Sequence, residues 1–267
     1  DTEIIKFKIA GDAETASQFF SDKALEGKSI INPNGGLDFL TFRGEVDVNN
    51  LCIEKYEPTL LATACYPYKT IAGPIVCIDP NPYSTVNQKK VCKVSGVSMS
   101  SQGAPIAVTK IDEEAFAVRT QFKITIKNVG GGDVFMGLGN EFINKCLNLQ
   151  RNDIDKIYVE GVSLGNKPLK CRPFLDTLDA GNSGTIRLVN GEGFVICDFS
   201  GFDKSGTAYT TPLTISLSYQ YRTTAEKKIQ IKREMTNDAI SHCRSFGYNP
   251  PLSDSDLYRK FGVGPEE

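Results

Sequence analysis

The sequence predicts an all-β protein built from two tandem β-sandwich modules, followed by a short helical tail. Three observations support this class. Short apolar stretches alternate with polar residues at a period of two, turn residues separate them at sandwich-like intervals, and one hairpin-like pattern occurs twice. The chain of 267 residues is longer than one small sandwich needs, so two modules are the natural division.

The repeated pattern is the clearest organising feature of the chain. Residues 60–72 read LLATACYPYKTIA and residues 213–225 read LTISLSYQYRTTA, which share the core Tyr-x-Tyr-basic-Thr-x-Ala. A second strand-like stretch follows each copy at the same offset, at 75–78 and at 228–231. We interpret each copy as a β-hairpin that closes one module, with its two tyrosines on one face of the first strand.

This repeat sets the predicted domain boundaries. The segment 79–84 contains two prolines and an asparagine, which favour a stiff linker. We therefore predict a first sandwich at 1–84, a second sandwich at 93–232 and a helical tail at 233–267. Within the tail, residues 236–243 favour a short helix.

Strand candidates are most complete in the second module. Residues 107–111 form the first, and residues 121–128 alternate strictly between apolar and polar side chains. This alternation places Phe122, Ile124 and Ile126 on the inner face of the sandwich.

Glycine and asparagine mark the turns of the same module. The three glycines at 130–132 are expected to permit positive φ in a sharp turn or bulge. Gly165-Asn166 and Asn190-Gly191 each separate two strand-like stretches, and Asn-Gly is the commonest dipeptide of short hairpins.

The first module is less regular. Residues 4–9 and 39–48 are predicted as strands, whereas residues 12–25 favour a helix with Asp12 as its cap. The apolar strand near the N-terminus is suited to adding itself to a sheet edge of a neighbouring subunit. Its assembly candidates are Ile4, Ile5, Phe7 and Ile9.

The cysteine content predicts an oxidising compartment. The cysteines are Cys52, Cys65, Cys77, Cys92, Cys146, Cys171, Cys197 and Cys243. Their even number suits a complete disulfide framework, and the absence of C-x-x-C pairs argues against zinc. We predict that Cys77 pairs with Cys92 and Cys171 with Cys197, and the remaining connectivity stays open.

Composition and charge exclude several classes of function. The chain has 30 basic and 32 acidic side chains, and its formal net charge of −2 provides no positive field for nucleic acid. No stretch approaches the roughly 20 apolar residues that a membrane-spanning helix needs. We expect an extracellular or cell-surface protein with no nucleic-acid partner and no membrane span.

One segment of the second module resembles a known family. The run QFKITIKNVGGGD at 121–133 is similar to the second strand and following turn of CARDB-type adhesion modules, which are immunoglobulin-like domains of prokaryotic surface proteins. The module also resembles parts of secreted archaeal proteins, and the similarity covers about half of the chain. The resemblance implies two immunoglobulin-like sandwiches and an extracellular spacer, stalk or filament subunit, and it carries over no catalytic residues.

Few residues suggest catalysis or a cofactor. His242 adjoins Cys243, but adjacent helical side chains point about 100° apart and cannot form a good thiolate pair. The adjacent Glu113 and Glu114 are better explained as solvated charges than as a catalytic pair. We therefore predict no enzyme, no catalytic residue and no cofactor.

Calcium is the one ion left as an alternative. Asp47 and Asp79 stand near predicted strand ends and could bind it, although no EF-hand-like loop is present and no position is favoured.

The tyrosines of the repeat are the ligand-face candidates, because aromatic rings stack on sugars. They are Tyr66, Tyr68, Tyr219 and Tyr221. The competing interpretation is that they pack between the sheets. We predict a non-enzymatic extracellular structural protein that self-assembles into a filament, stalk or surface layer, so its partner is another copy of the chain. The alternative is an adhesion module that binds surface glycan, another ligand or other surface proteins.

Overall fold

The structure is a computed structural model. It describes residues 4–7, 25–28, 31–37, 39, 43–46, 54–84, 90–136, 146, 149–202, 206–234 and 236–244. In chain order the strands are β1 (Ile4–Phe7), β2 (Arg43–Val46), β3 (Lys55–Tyr56), β4 (Thr59–Ala72), β5 (Ile75–Ile78), β6 (Val97–Ser98), β7 (Ile106–Ala115), β8 (Thr120–Asn128), β9 (Asp133–Phe135), β10 (Lys156–Leu164), β11 (Lys167–Pro168), β12 (Lys170–Arg172), β13 (Gly184–Arg187), β14 (Glu192–Phe199), β15 (Tyr209–Lys228) and β16 (Ile231–Lys232), and the helix is α1 (Asn237–Arg244). Strands dominate the described residues, which confirms the all-β class.

The chain divides into two compact units that alternate along the sequence. Unit 1 comprises Asp1–Leu25, Leu37–Leu61 and Glu226–Glu267, and unit 2 comprises Glu26–Gly36 and Ala62–Ala225. Both β4 and β15 contain a point at which the chain passes from one unit to the other.

These units do not coincide with the predicted modules at 1–84 and 93–232. The segment 79–84, predicted as a linker, lies inside unit 2 with the chain on both sides of it. The predicted tail at 233–267 belongs to unit 1 together with N-terminal segments. The physical reason is strand pairing, because both copies of the repeat contribute strands to one sheet of unit 2.

Unit 1 contains two small sheets and α1 among its described residues. Strand β1 pairs in parallel with β2, and β3 pairs antiparallel with β16. Helix α1 confirms the short helix predicted at 236–243, and the Thr236 hydroxyl caps it by accepting the Ala239 N–H at 3.3 Å. The helix predicted at 12–25 lies outside the described residues except for Leu25.

Unit 2 is built from two sheets that share one core. Sheet A has seven strands, ordered β11-β10-β15-β4, with β13 on β10 and with β5 and β9 on β15. Sheet B has five strands, ordered β12-β14-β8-β7-β6. Phe122, Ile124 and Ile126 of sheet B are buried in one cluster with Leu213 and Ile215 of sheet A. The inner face predicted from the alternation in β8 is therefore confirmed.

The two copies of the repeat pair with each other. Strand β4 carries the first copy and β15 the second, and they are neighbours in sheet A. Tyr66 contacts Tyr221 and Tyr68 contacts Tyr219, so the two strands run antiparallel. The prediction that each copy closes a separate module as its own hairpin is wrong.

Strand β5 continues the same ladder beyond a break at Gly73 and Pro74. It pairs with β15 in the same register, with Ile75 opposite Pro212. The Leu213 N–H donates to the Pro74 carbonyl at 2.8 Å, but proline has no N–H to return the bond. The predicted hairpin turn is therefore an interruption within one long strand line.

The turn at Asn190-Gly191 has the predicted backbone and closes a very short hairpin. Asn190 and Gly191 have φ of 53° and 76°, as a tight two-residue turn requires. Strand β13 pairs with β10 of sheet A, whereas β14 pairs with β8 of sheet B. Across the turn, Val189 and Glu192 exchange both backbone hydrogen bonds, at 2.7 and 3.1 Å, so the predicted hairpin is closed by one residue pair. Beyond that pair, β13 and β14 separate into different sheets.

The glycines at 130–132 are needed for a reason other than the predicted one. None of them has positive φ. A Cβ on Gly130 would lie 2.2 Å from the Tyr221 hydroxyl oxygen, and one on Gly132 would lie 2.2 Å from the Arg222 carbonyl oxygen. Glycine is required at these two positions because β15 approaches the turn too closely for a side chain.

Candidate functional site

The four tyrosines predicted as a ligand face lie together on β4 and β15, and we call them the tyrosine quartet. Tyr68 stacks on Tyr219 with ring centroids 5.9 Å apart, and Tyr66 lies 6.0 Å from Tyr221. Their face is turned toward the core. Tyr219 and Tyr221 are each only 3% exposed, and Tyr66 and Tyr68 are partly buried against the core cluster.

The hydroxyl groups of the buried pair are bound inside the protein. Thr70 Oγ1 donates to the Ile106 carbonyl at 2.8 Å, so the Tyr219 hydroxyl donates to Thr70 at 2.9 Å and accepts the Ile106 N–H at 3.3 Å. The Tyr221 hydroxyl accepts the Gly132 N–H at 2.7 Å. Burial raises the pKa of Tyr219 above the ordinary tyrosine value. These contacts join the sheets, so the quartet offers a ligand little more than its two outer rings.

Both predicted disulfide pairs are confirmed. Cys77 is bonded to Cys92, which closes a loop with a sequence separation of 15. Cys171 is bonded to Cys197, and the two residues lie directly opposite each other on β12 and β14. Disulfides of this kind form in oxidising compartments, which supports a secreted protein.

A third disulfide joins Cys65 of β4 to Cys146. Arg222 lies beside it on β15, where its Nη1 donates to the Cys146 carbonyl at 3.3 Å and its Nη2 binds Asp133 at 2.7 Å. Cys243 is also disulfide-bonded and carries no thiol, while Cys52 lies outside the described residues.

Asp79, one of the two calcium candidates, is bound within the chain. Its Oδ2 lies 2.5 Å from Lys90 Nζ, and its Oδ1 accepts the Asn81 N–H at 3.1 Å. The described residues include no cluster of three or more His, Cys, Asp and Glu side chains that could hold a metal ion. Asp47 lies outside the described residues.

A cavity of about 840 Å³ lies between residues 79–82 and 90–94 on one side and the end of β7 on the other. Its charged and sulfur-bearing lining consists of Asp79, Lys90, Cys92, Lys93, Glu113 and Glu114. The Cys77–Cys92 disulfide therefore ties down one wall of the cavity.

Glu113 is the most perturbed acidic group of the described chain. It is only 8% exposed, its Oε2 accepts the Cys77 N–H at 3.3 Å, and its buried Oε1 has no hydrogen-bond partner among the described residues. Burial raises the pKa of Glu113 to about 7, against a smaller lowering by the Cys77 N–H. The interpretation of Glu113 as a solvated charge is wrong. Its position two residues after the buried Ile111 was the signal for an inward-facing side chain.

The outer edge of β4 is a second candidate surface. Strand β4 ends the order of sheet A, and among the described residues it pairs only with β15. The Leu213–Pro74 bond shows that even-numbered residues of this strand line direct their backbone groups toward β15. Odd-numbered residues direct their backbone groups toward the open edge. Pro67 is odd-numbered, so the N–H that proline lacks would have pointed to this edge, and proline is tolerated at such a position.

Beyond Pro67, two large apolar side chains stand exposed along this edge. Ile71 is 60% exposed and Ile75 is 58% exposed. Nearby, Lys69 forms an ion pair with Glu160 at 2.6 Å. The hydrogen bond from Lys69, together with one from Ser216 and the charge of Lys69, lowers the pKa of Glu160.

The N-terminal assembly candidates are paired within the chain. Ile4, Ile5 and Phe7 lie in β1, which pairs with β2, and Ile9 lies outside the described residues. Donation of this strand to a neighbouring subunit would therefore use the other edge of β1.

Comparison with known proteins returns no relative. No protein-family model, curated protein or solved structure matches the chain. The resemblance to CARDB-type modules therefore stays a prediction. Among the described residues, no helix has the length and apolar character needed to cross a membrane.

Proposed function

We propose that the chain is a non-enzymatic structural protein of an extracellular surface, whose copies assemble through the open edge of β4. The observation that carries this proposal is the edge itself. It ends sheet A, no described strand covers it, and Ile71 and Ile75 stand exposed along it. Unpaired N–H and C=O groups at a sheet edge are a template for a strand from another chain.

The disulfides support the extracellular part of the proposal. Three of them staple unit 2, and none of the described cysteines is free. Such a framework persists outside the reducing cytosol, where filaments, stalks and surface layers are built.

Pro67 limits where a second strand can pair. Its missing N–H removes one bond from any ladder that extends past it. A ladder centred on Ile71 therefore pairs residues 69–73 in full, a length of roughly 17 Å. A two-fold axis beside Ile71 makes this contact between two identical copies. It brings the two Ile71 side chains together and leaves Pro67 opposite Ile75, at the end of the ladder.

The proposal is tested by the concentration dependence of molar mass in light scattering. We compare the wild-type chain with Ile71→Lys and with the control Val118→Lys, which changes a side chain of similar exposure, 57%, in the turn between β7 and β8. We expect Ile71→Lys to weaken association about tenfold or more and Val118→Lys to leave it unchanged. A wild-type monomer at every concentration would contradict assembly, and equal loss in both variants would contradict the edge as its site.

A further inference from the structure

We propose that Glu113 is a pH-sensitive latch between the two sheets of unit 2. In its neutral form Glu113 holds β7 to β5 beside the cavity, and its ionisation releases that contact. This inference is independent of assembly.

The latch contact crosses from one sheet to the other. Glu113 belongs to β7 of sheet B, and Cys77 belongs to β5 of sheet A. Cys77 is an odd-numbered residue of the strand line, so its N–H points away from β15 and takes no part in that ladder. The Glu113 carboxyl therefore satisfies an edge N–H that no neighbouring described strand reaches.

The surroundings of Glu113 do not compensate a negative charge. On β8, the residue opposite is the apolar Phe122. Across the cavity, Lys90 is bound to Asp79 and also donates to the Asn81 carbonyl at 2.9 Å. The remaining charged groups of the lining are Lys93 and Glu114. No described residue forms a salt bridge with Glu113, and its Oε1 has no described hydrogen-bond donor.

An ionised carboxylate at this place has one hydrogen bond, from the Cys77 N–H, and this bond offsets only part of the cost of its burial. Rotation toward the cavity hydrates it, but the same movement breaks the bond to the Cys77 N–H. After this release, residues 90–94 stay tied to β5 through the Cys77–Cys92 disulfide. Because burial sets the pKa of Glu113 to about 7, the latch releases near neutral pH.

Hydrogen exchange at pH 6 and pH 8, corrected for the intrinsic rates, measures the latch directly. We expect protection of the Cys77 N–H to fall about tenfold between these two pH values in the wild-type chain, because ionised Glu113 favours the open form. In Glu113→Gln the amide oxygen still accepts the Cys77 N–H and cannot ionise, so protection stays constant. The control Glu114→Gln changes the exposed neighbour and retains the wild-type fall.

The wild-type protein alone can overturn the latch. Equal protection of the Cys77 N–H at both pH values would do so. Protection equal to that of β8 at both pH values would also do so, because opening would then be global unfolding. Cooperative unfolding of Glu113→Gln would show that the variant is folded. If this folded variant still lost protection between pH 6 and pH 8, another group would be responsible and the assignment to Glu113 would fail.

Discussion

Tyr68 stacks on Tyr219, a residue 151 positions further along the chain, with ring planes 18° apart. The second tyrosine of the first repeat copy thus meets the first tyrosine of the second copy. Tyr66 and Tyr221 make the converse contact. The two copies are therefore related by a local two-fold arrangement, which explains why one motif suits both strands.

The hydroxyl of Tyr219 is expected to stabilise unit 2. Tyr219→Phe leaves the Thr70 hydroxyl and the Ile106 N–H without that partner, and we expect a loss of about 1–2 kcal/mol in the free energy of unfolding. Urea denaturation measures it. Tyr209→Phe, at a residue that is 40% exposed, is the control and should change stability by less than about 0.5 kcal/mol. Equal losses would show that the buried hydroxyl has no special role.

The glycine run offers a matched pair of substitutions. A Cβ on Gly132 would lie 2.2 Å from the Arg222 carbonyl oxygen, whereas one on Gly131 would meet nothing within 4 Å. We expect Gly132→Ala to lower the free energy of unfolding by about 3 kcal/mol or more, which thermal melting detects as a strongly lowered midpoint. Gly131→Ala should be nearly neutral. If both variants melted like the wild type, β15 would not approach this turn as closely as described.

Because Glu113 is buried, we expect unit 2 to become less stable as pH rises. Its folded-state pKa, about 7, lies above the ordinary value of 4.5, so the folded state binds more protons between these values. The free energy of unfolding should fall by about 3 kcal/mol across this window and stay level above it. Urea denaturation from pH 4 to pH 8 measures it. The wild-type curve minus the Glu113→Gln curve isolates the effect, and a flat difference would contradict the burial of this carboxyl.

The disulfides are expected to contribute unequally. Cys65–Cys146 has a sequence separation of 81 and Cys77–Cys92 one of 15. In the chain-entropy treatment the longer loop contributes about 4.5 kcal/mol and the shorter about 3 kcal/mol. Paired Cys→Ser variants, compared by urea denaturation, should rank in that order. The reverse order would mean that native contacts around the bonds outweigh loop entropy.

Local pattern predicted which residues face the core, but not which strands are neighbours. The alternation in 121–128 gave the correct inner face, and residues bracketing the turn at Gly165-Asn166 do form paired strands. The hairpin interpretation of 60–78 failed because Gly73 and Pro74 look like a turn in sequence. In the structure the same two residues interrupt a strand whose partner is far away in the chain.

The candidate sites were harder to predict for a related reason. Alternation places Glu113 on the inner face with Ile111. A carboxyl is normally expected at the surface, so the residue type led to the interpretation of Glu113 as a solvated charge in spite of the alternation. The open edge of β4 depends on sheet order, which no local feature of residues 60–72 encodes. The pairs Cys77–Cys92 and Cys171–Cys197 could be predicted because their cysteines lie at turns or strand ends and are separated by few residues in the sequence.

The pairing of the two repeat copies in one sheet is the claim on which the edge and the latch both depend, and a designed disulfide tests it most directly. The hydroxyl oxygens of Thr63 and Thr224 lie 3.0 Å apart. As a non-hydrogen-bonded pair their Cα atoms should be about 4.5 Å apart, which a disulfide can bridge. We predict that non-reducing peptide mapping of Thr63→Cys/Thr224→Cys finds the two residues linked within one chain, whereas Thr63→Cys/Thr223→Cys stays unlinked. Free thiols at 63 and 224, or links only between chains, would contradict the pairing.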